Sequence, residues 1–218
     1  MTTPALTIAA LIESAEAFAI LESSHGEPRL YGVTDGKAVG TYLEHKFRAF
    51  LAESFTFEIG NSAKGIDFPT LGVDMKTTSI RQPQSSCPFK SARQKVYGLG
   101  YALLVFVYEK SDDADARTAR LDIQHVIYVE PSRTGDFQTT RGIREIIERE
   151  GDTDDLIAFM SDRNLPLDDI GMSRLAEEIL ATKPEQGYLA IINAFQWRLQ
   201  YNRVIKQAGI VCGIHRVK

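Results

Sequence analysis

Residues 65–79 read GIDFPTLGVDMKTTS. As a strand over 71–79, this stretch turns Leu71, Val73, Met75 and Thr77 to one side and Gly72, Asp74, Lys76 and Thr78 to the other, because successive strand side chains alternate. The first set makes a core face. The second carries a charge pair. Asp67 precedes the strand, and Pro69 fixes a turn that brings its carboxylate back beside Asp74. Two acids and a lysine then converge.

Two carboxylates at hydrogen-bonding range repel each other and make a strong position for a hard, oxygen-seeking cation such as Mg²⁺. An ammonium two residues along the same face is suited to stabilising a pentacovalent phosphorane or orienting an attacking water. That is a pattern for metal-assisted phosphodiester hydrolysis, which needs no Cys, His or Ser nucleophile. A bare Asp-x-Lys also marks ordinary strand faces, so its surroundings matter.

The segment DFPTLGVDMKT (67–77) resembles the catalytic segment of MutH, the mismatch-repair nickase, and of related type II restriction enzymes in the PD-(D/E)xK nuclease superfamily. Six residues separate the acids, as in the MutH branch. The resemblance implies that Asp67 and Asp74 bind metal together with the backbone carbonyl of Met75, and that Lys76 positions or activates water. VGTYLEHKF (39–47) resembles the MutH segment before its catalytic acids, which implies an active-site role for Glu44. A surface pair with Arg48, four residues on, is the structural alternative for that glutamate. Arg93 and Lys95 resemble the MutH Arg-x-Lys, which implies that Lys95 lies near the scissile phosphate. The likeness covers about residues 39–110 and implies an α/β fold: a restriction-endonuclease-like αβββαβ core, its mixed central sheet flanked by helices.

The rest of the chain is read from its patterning. Residues 4–21 have apolar Leu6, Leu11, Ala15 and Phe18 at helical spacing, and a loop is expected around Asp35-Gly36. Residues 38–54 give a helix with the stripe Val39, Leu43, Phe47, Phe50 and Leu51. FTFEIG (55–60) alternates and reads as a strand, 89–97 as a short helix, and the apolar run 101–109 as a central buried strand. A charged hairpin leads into a strand at 121–131, where His125 is a packed or edge residue. Three helices follow, at 138–150, 153–162 and 169–182, the last capped by Asp168 or Asp169.

The 218 residues, 44% of them apolar, suit a single nuclease domain over 1–218. Its catalytic core spans about 38–131, followed by a helical extension at 135–182 and a basic segment at 186–218. No apolar run is long enough to span a membrane and no leader is evident, so a cytoplasmic protein is expected. Cys87 and Cys212 are too few for a disulfide framework or a zinc site.

The net charge of −4 hides a segregated distribution. No acid lies between Thr77 and Tyr108, where Arg81, Lys90, Arg93 and Lys95 cluster, and none follows Gln186. Arg81, Lys90 and Arg93 are therefore DNA-contact candidates. Around 196–203, Gln196, Arg198, Gln200 and Asn202 alternate with Trp197, Leu199 and Tyr201, a strand period in a window that also supports a helix. With Arg203, these polar residues are the types that read base edges in the major groove. A polar outer face over a Trp-anchored core is the alternative.

By resemblance, the expected protein is a type II restriction endonuclease. It would cut double-stranded DNA with Mg²⁺ to leave 5′-phosphate and 3′-hydroxyl ends, as a homodimer or a monomer, beside a cognate DNA methyltransferase. A MutH-like mismatch-repair nickase and a catalytically inactive sequence-specific DNA-binding protein are the alternatives.

Overall fold

The computed structural model describes residues 3–60, 65–87, 90–192 and 197–218. In chain order the first elements are α1 (Ile8–Ser23), β1 (Gly26–Glu27), α2 (Gly36–Ala52), β2 (Val73–Ser79), β3 (Gln84–Cys87), α3 (Arg93–Tyr97), β4 (Ala102–Asp113) and β5 (Thr118–Val129). There follow α4 (Phe137–Glu148), α5 (Thr153–Asp162), α6 (Asp169–Ala181), β6 (Ala190–Ile192), β7 (Trp197–Gln200), α7 (Asn202–Gln207) and β8 (Ile214–Arg216). Thr7, Asp35, Asp136, Asp152 and Asp168 cap α1, α2, α4, α5 and α6, each side chain accepting from an otherwise unpaired first-turn N–H.

The chain forms two compact units. The first comprises Met1–Ser85, Ala102–Val129 and Val204–Lys218. Its mixed sheet runs β1–β5–β4–β2, with β8 also on β5. β2 is parallel to β4, and β4, β1 and β8 are all antiparallel to β5. β4 is central, and Tyr101–Tyr108 are buried without a break, as its apolar run predicts. α1 packs on β5 and α2 on β2. Leu11, Ala15 and Phe18 of α1 and Val39, Leu43, Phe47 and Leu51 of α2 meet Val73, Met75, Leu104 and Phe106 in one core. The Phe47 ring lies 5.1 Å from that of Phe18 and 5.2 Å from that of Phe106. Burying each such side chain contributes about 1.5–3 kcal/mol, so α2 is fixed against the strand it serves.

The second unit comprises Ser86–Tyr101 and Glu130–Arg203. Val96, Ile143, Ile146, Leu156, Met160, Leu175 and Ile179 of α3 to α6 form its core. β6 and β7 pair antiparallel, in a small sheet ordered β3–β7–β6.

Several expectations from the sequence change. FTFEIG is not a strand. Phe55 and Phe57 do turn toward the core, but among the described residues the segment forms one isolated β-bridge, between Ala5 and Thr56, and a further bond from the Gly60 N–H to the Asp67 carbonyl. Alternation alone makes no strand without a partner edge to bond. That bridge also holds residues 4–6 extended, so α1 starts at Ile8 rather than residue 4. The expected loop around Asp35-Gly36 ends at Asp35, which caps α2, and Gly36 is already the first residue of the helix. The short helix starts at Arg93, and Pro88 and Phe89 lie outside the described residues. The strand and helix readings of the C-terminal window are both realised, as β7 and then α7. Among the described residues, no helix is long and apolar enough to cross a membrane.

Candidate active site

The site is made by a chain reversal. Phe68 and Val73 exchange backbone hydrogen bonds in both directions, at 2.9 and 3.2 Å, around a 3₁₀ turn at Pro69–Leu71. Gly72 closes the turn with φ +63°, a left-handed conformation that a side chain strains. The Gly60 N–H bonds the Asp67 carbonyl at 3.0 Å, and a Cβ on Gly60 would lie 1.7 Å from the Ile66 carbonyl oxygen, so only glycine fits there. Asp67 thereby faces the start of β2, and its Oδ2 accepts the Met75 N–H at 2.8 Å.

A strand residue points its N–H and C=O to the same edge. Because the Met75 N–H is directed at Asp67 and not at β4, the Met75 carbonyl lies on the same open edge as the Asp67 carboxylate. Among the described residues β2 is the outermost strand of its sheet, and beyond the Phe68–Val73 bridge no strand pairs with that edge.

Asp74 and Lys76 share a face of β2, and Lys76 Nζ is 2.7 Å from Asp74 Oδ2. Asp74 is only 4% exposed. Its Oδ2 makes that ion-pair contact but no well-directed hydrogen bond among the described residues. Burial raises the Asp74 carboxyl to about 7, against the attraction of Lys76 and with the help of the neighbouring Asp67.

Glu44 reaches the site through Arg48. Arg48 Nη2 is 2.9 Å from Glu44 Oε1 and 2.7 Å from Asp67 Oδ1. The expected helical pair is present, and the same nitrogen extends it to the first acid. Three acids thus face two cations, one negative charge in excess unless Asp74 takes up a proton. Among the described residues no three acid, histidine or cysteine side chains converge as a metal cluster, but the carboxylates of Asp67 and Asp74, the latter with its enclosed Oδ2, are donors of the kind a hard divalent cation takes. Asp67, Asp74 and the Met75 carbonyl are the groups that could hold one. The sequence reading missed the reach of Arg48; its one signal was the four-residue spacing from Glu44.

The other candidates are placed as follows. Arg81 is exposed, 3.9 Å from Glu109. Lys90 is exposed and its backbone N–H bonds Gln94. The Arg93 guanidinium is taken up by Glu178, with Nε at 2.9 Å, and lies over the Tyr97 ring. Lys95 is buried in the second unit, its ammonium 5.6 Å from the Trp197 ring centroid. Burial pushes that lysine below its usual value, against the pull of Asp136. Arg198 and Gln200 are on the outer side of β7, opposite buried Trp197 and Leu199, and Asn202 is exposed. Arg203 lies 3.6 Å over the Phe137 ring. Gln196 lies outside the described residues.

A strand-borne Asp-x-Lys with a second acid latched beside it defines a candidate hydrolytic metal centre. The family model of the Type II restriction enzyme NspV matches residues 5–216, and the chain belongs to that family. It is 65% identical to the Type II restriction enzyme NspV of Nostoc sp. (strain ATCC 29411 / PCC 7524) over 96% of this chain and 95% of that protein. Membership makes the chain a type II restriction endonuclease, a site-specific deoxyribonuclease. No solved structure matches it significantly.

Proposed function

We propose that the chain cuts double-stranded DNA at a short specific sequence through a PD-(D/E)xK centre built from Asp67, Asp74 and Lys76, with Mg²⁺ as its cofactor. The observation that carries this reading is the latch of Asp67 on the Met75 N–H, which sets a second carboxylate beside the buried Asp74–Lys76 pair. The αβββαβ core of such nucleases is part of this proposal, with α2, β2, α3 and β4 as its candidate elements. The likeness to MutH around Glu44 and Asp74 belongs to the same proposal.

Asp67, Asp74 and the Met75 carbonyl would hold the cation. Bound there, it supplies positive charge to a phosphodiester under attack and acidity to a coordinated water. Lys76, anchored by Asp74, orients the attacking water in line with the scissile bond. Glu44 accepts a hydrogen bond from that water, and Lys95 contacts the phosphate. Cleavage leaves a 5′-phosphate and a 3′-hydroxyl. Arg81, Lys90, Arg198, Gln200, Asn202 and Arg203 serve DNA contact. A homodimer cuts both strands, and a cognate methyltransferase protects the host site.

The test is digestion of mixed-sequence phage DNA with Mg²⁺ or EDTA. Discrete fragments are expected with Mg²⁺ alone. Asp74→Asn and Lys76→Ala each lower cleavage by about a thousandfold or more while duplex binding persists. Full activity in either variant overturns the assignment, and nicked circles without linear product from a supercoiled plasmid point to a nickase.

A further inference from the structure

Arg48 sits one helical turn beyond Glu44 on α2, with its side chain 16% exposed. The planar guanidinium suits two parallel bonds to one carboxylate. Here a single nitrogen, Nη2, instead serves two acids from different segments, Glu44 and Asp67. Arg48 Nε is buried and has no hydrogen-bond partner among the described residues. The other oxygen of Asp67 is fixed by the Met75 N–H, so Arg48 and β2 hold this carboxylate from opposite oxygens.

We propose that Arg48 is a positioning residue that stands in for the divalent cation, tying Glu44 to Asp67 and offsetting their charge until the cation binds. This rests on the nuclease reading of the site. Its consequence has two opposite signs. Without the guanidinium, Glu44 and Asp67 attract a divalent cation more strongly, because a fixed positive charge beside the cation is gone. The same change removes the link that sets the spacing of the two acids, so the chemical step slows.

The experiment compares full-length wild type, Arg48→Gln and Arg48→Lys by calorimetric titration with Ca²⁺ in the absence of DNA, and by steady-state cleavage with Mg²⁺. Arg48→Gln is expected to lower the Kd for Ca²⁺ by roughly threefold or more and to lower kcat about tenfold, with KM for DNA unchanged. Arg48→Lys, which keeps a positive charge, is expected to stay within about twofold of the wild-type Kd. An unchanged or raised Kd in Arg48→Gln overturns the proposal. Should that variant not fold alone, Ca²⁺ or the added change Asp67→Asn restores it, since each removes the unopposed charge; failure of both also overturns it. Wild type that binds no Ca²⁺, or Asp74→Asn that binds as tightly as wild type, brings down the metal-centre reading of the site and this proposal with it. Ca²⁺ binding that Asp74→Asn removes and Arg48→Gln leaves unaltered brings down this proposal alone.

Discussion

Asp74 is a carboxyl whose environment favours the proton. Its ordinary value of 3.8 is raised to about 7, chiefly by burial. Between those values the folded chain holds a proton that the unfolded chain has released, so folding takes one up. The contribution of Asp74 to the stability of the metal-free protein therefore falls as pH rises from about 4 to about 7, and levels above that. Asp74→Asn cannot ionise. At pH 8 without metal it should melt above wild type by roughly 3–6 °C, an advantage that shrinks toward pH 4. Melting curves in EDTA across that range check the sign, and a variant less stable at pH 8 contradicts it. At this scale the sequence was informative for Asp67, Asp74 and Lys76, because a two-residue strand period and one proline turn bring them together. It was silent on Arg48, whose contact with Asp67 depends on how α2 lies against β2. It was silent too on the partner of Arg93, whose guanidinium meets Glu178, a residue far along the chain.

Elements are held by a few polar anchors. Asp136 is 7% exposed and caps α4, with Oδ1 accepting from the Thr139 N–H and hydroxyl and Oδ2 from the Ile191 N–H on β6. One carboxylate thus satisfies donors from a helix and a strand of the second unit. Asp136→Ala leaves them unsatisfied and should cost about 2–4 kcal/mol in denaturant unfolding, more than Thr7→Ala, which releases one exposed cap at about 1 kcal/mol. Equal losses would contradict this account. Helices α4 to α6 were legible because aspartates mark their starts and apolar spacing their lengths. FTFEIG was not, because a strand needs a partner and no local pattern names one.

For the whole molecule, charge counted along the chain overstates what is available to DNA. Arg93 is held by Glu178, Arg216 bonds the carbonyls of Ala208 and Ile205, and Lys218 bonds the Ile123 carbonyl. Arg81 and Arg198 remain exposed. Replacing either with glutamine should weaken duplex binding and lower its salt slope by about one phosphate contact, whereas Arg93→Gln leaves the slope unaltered. Binding measured from low to moderate salt distinguishes them, and a slope lowered most by Arg93→Gln would contradict the assignment.

The position of Asp67 at the margin of the sheet also bears on solubility. β2 ends its sheet, and its outward N–H at Met75 would be a template for a strand of another molecule if it were not already bonded to the Asp67 carboxylate. The carboxylate proposed to hold the cation also guards the edge against cross-molecular pairing. Asp67→Ala should therefore scatter light increasingly with concentration on mild heating, while Asp74→Asn stays clear. An inactive form prepared for DNA-bound crystals is safer made at position 74.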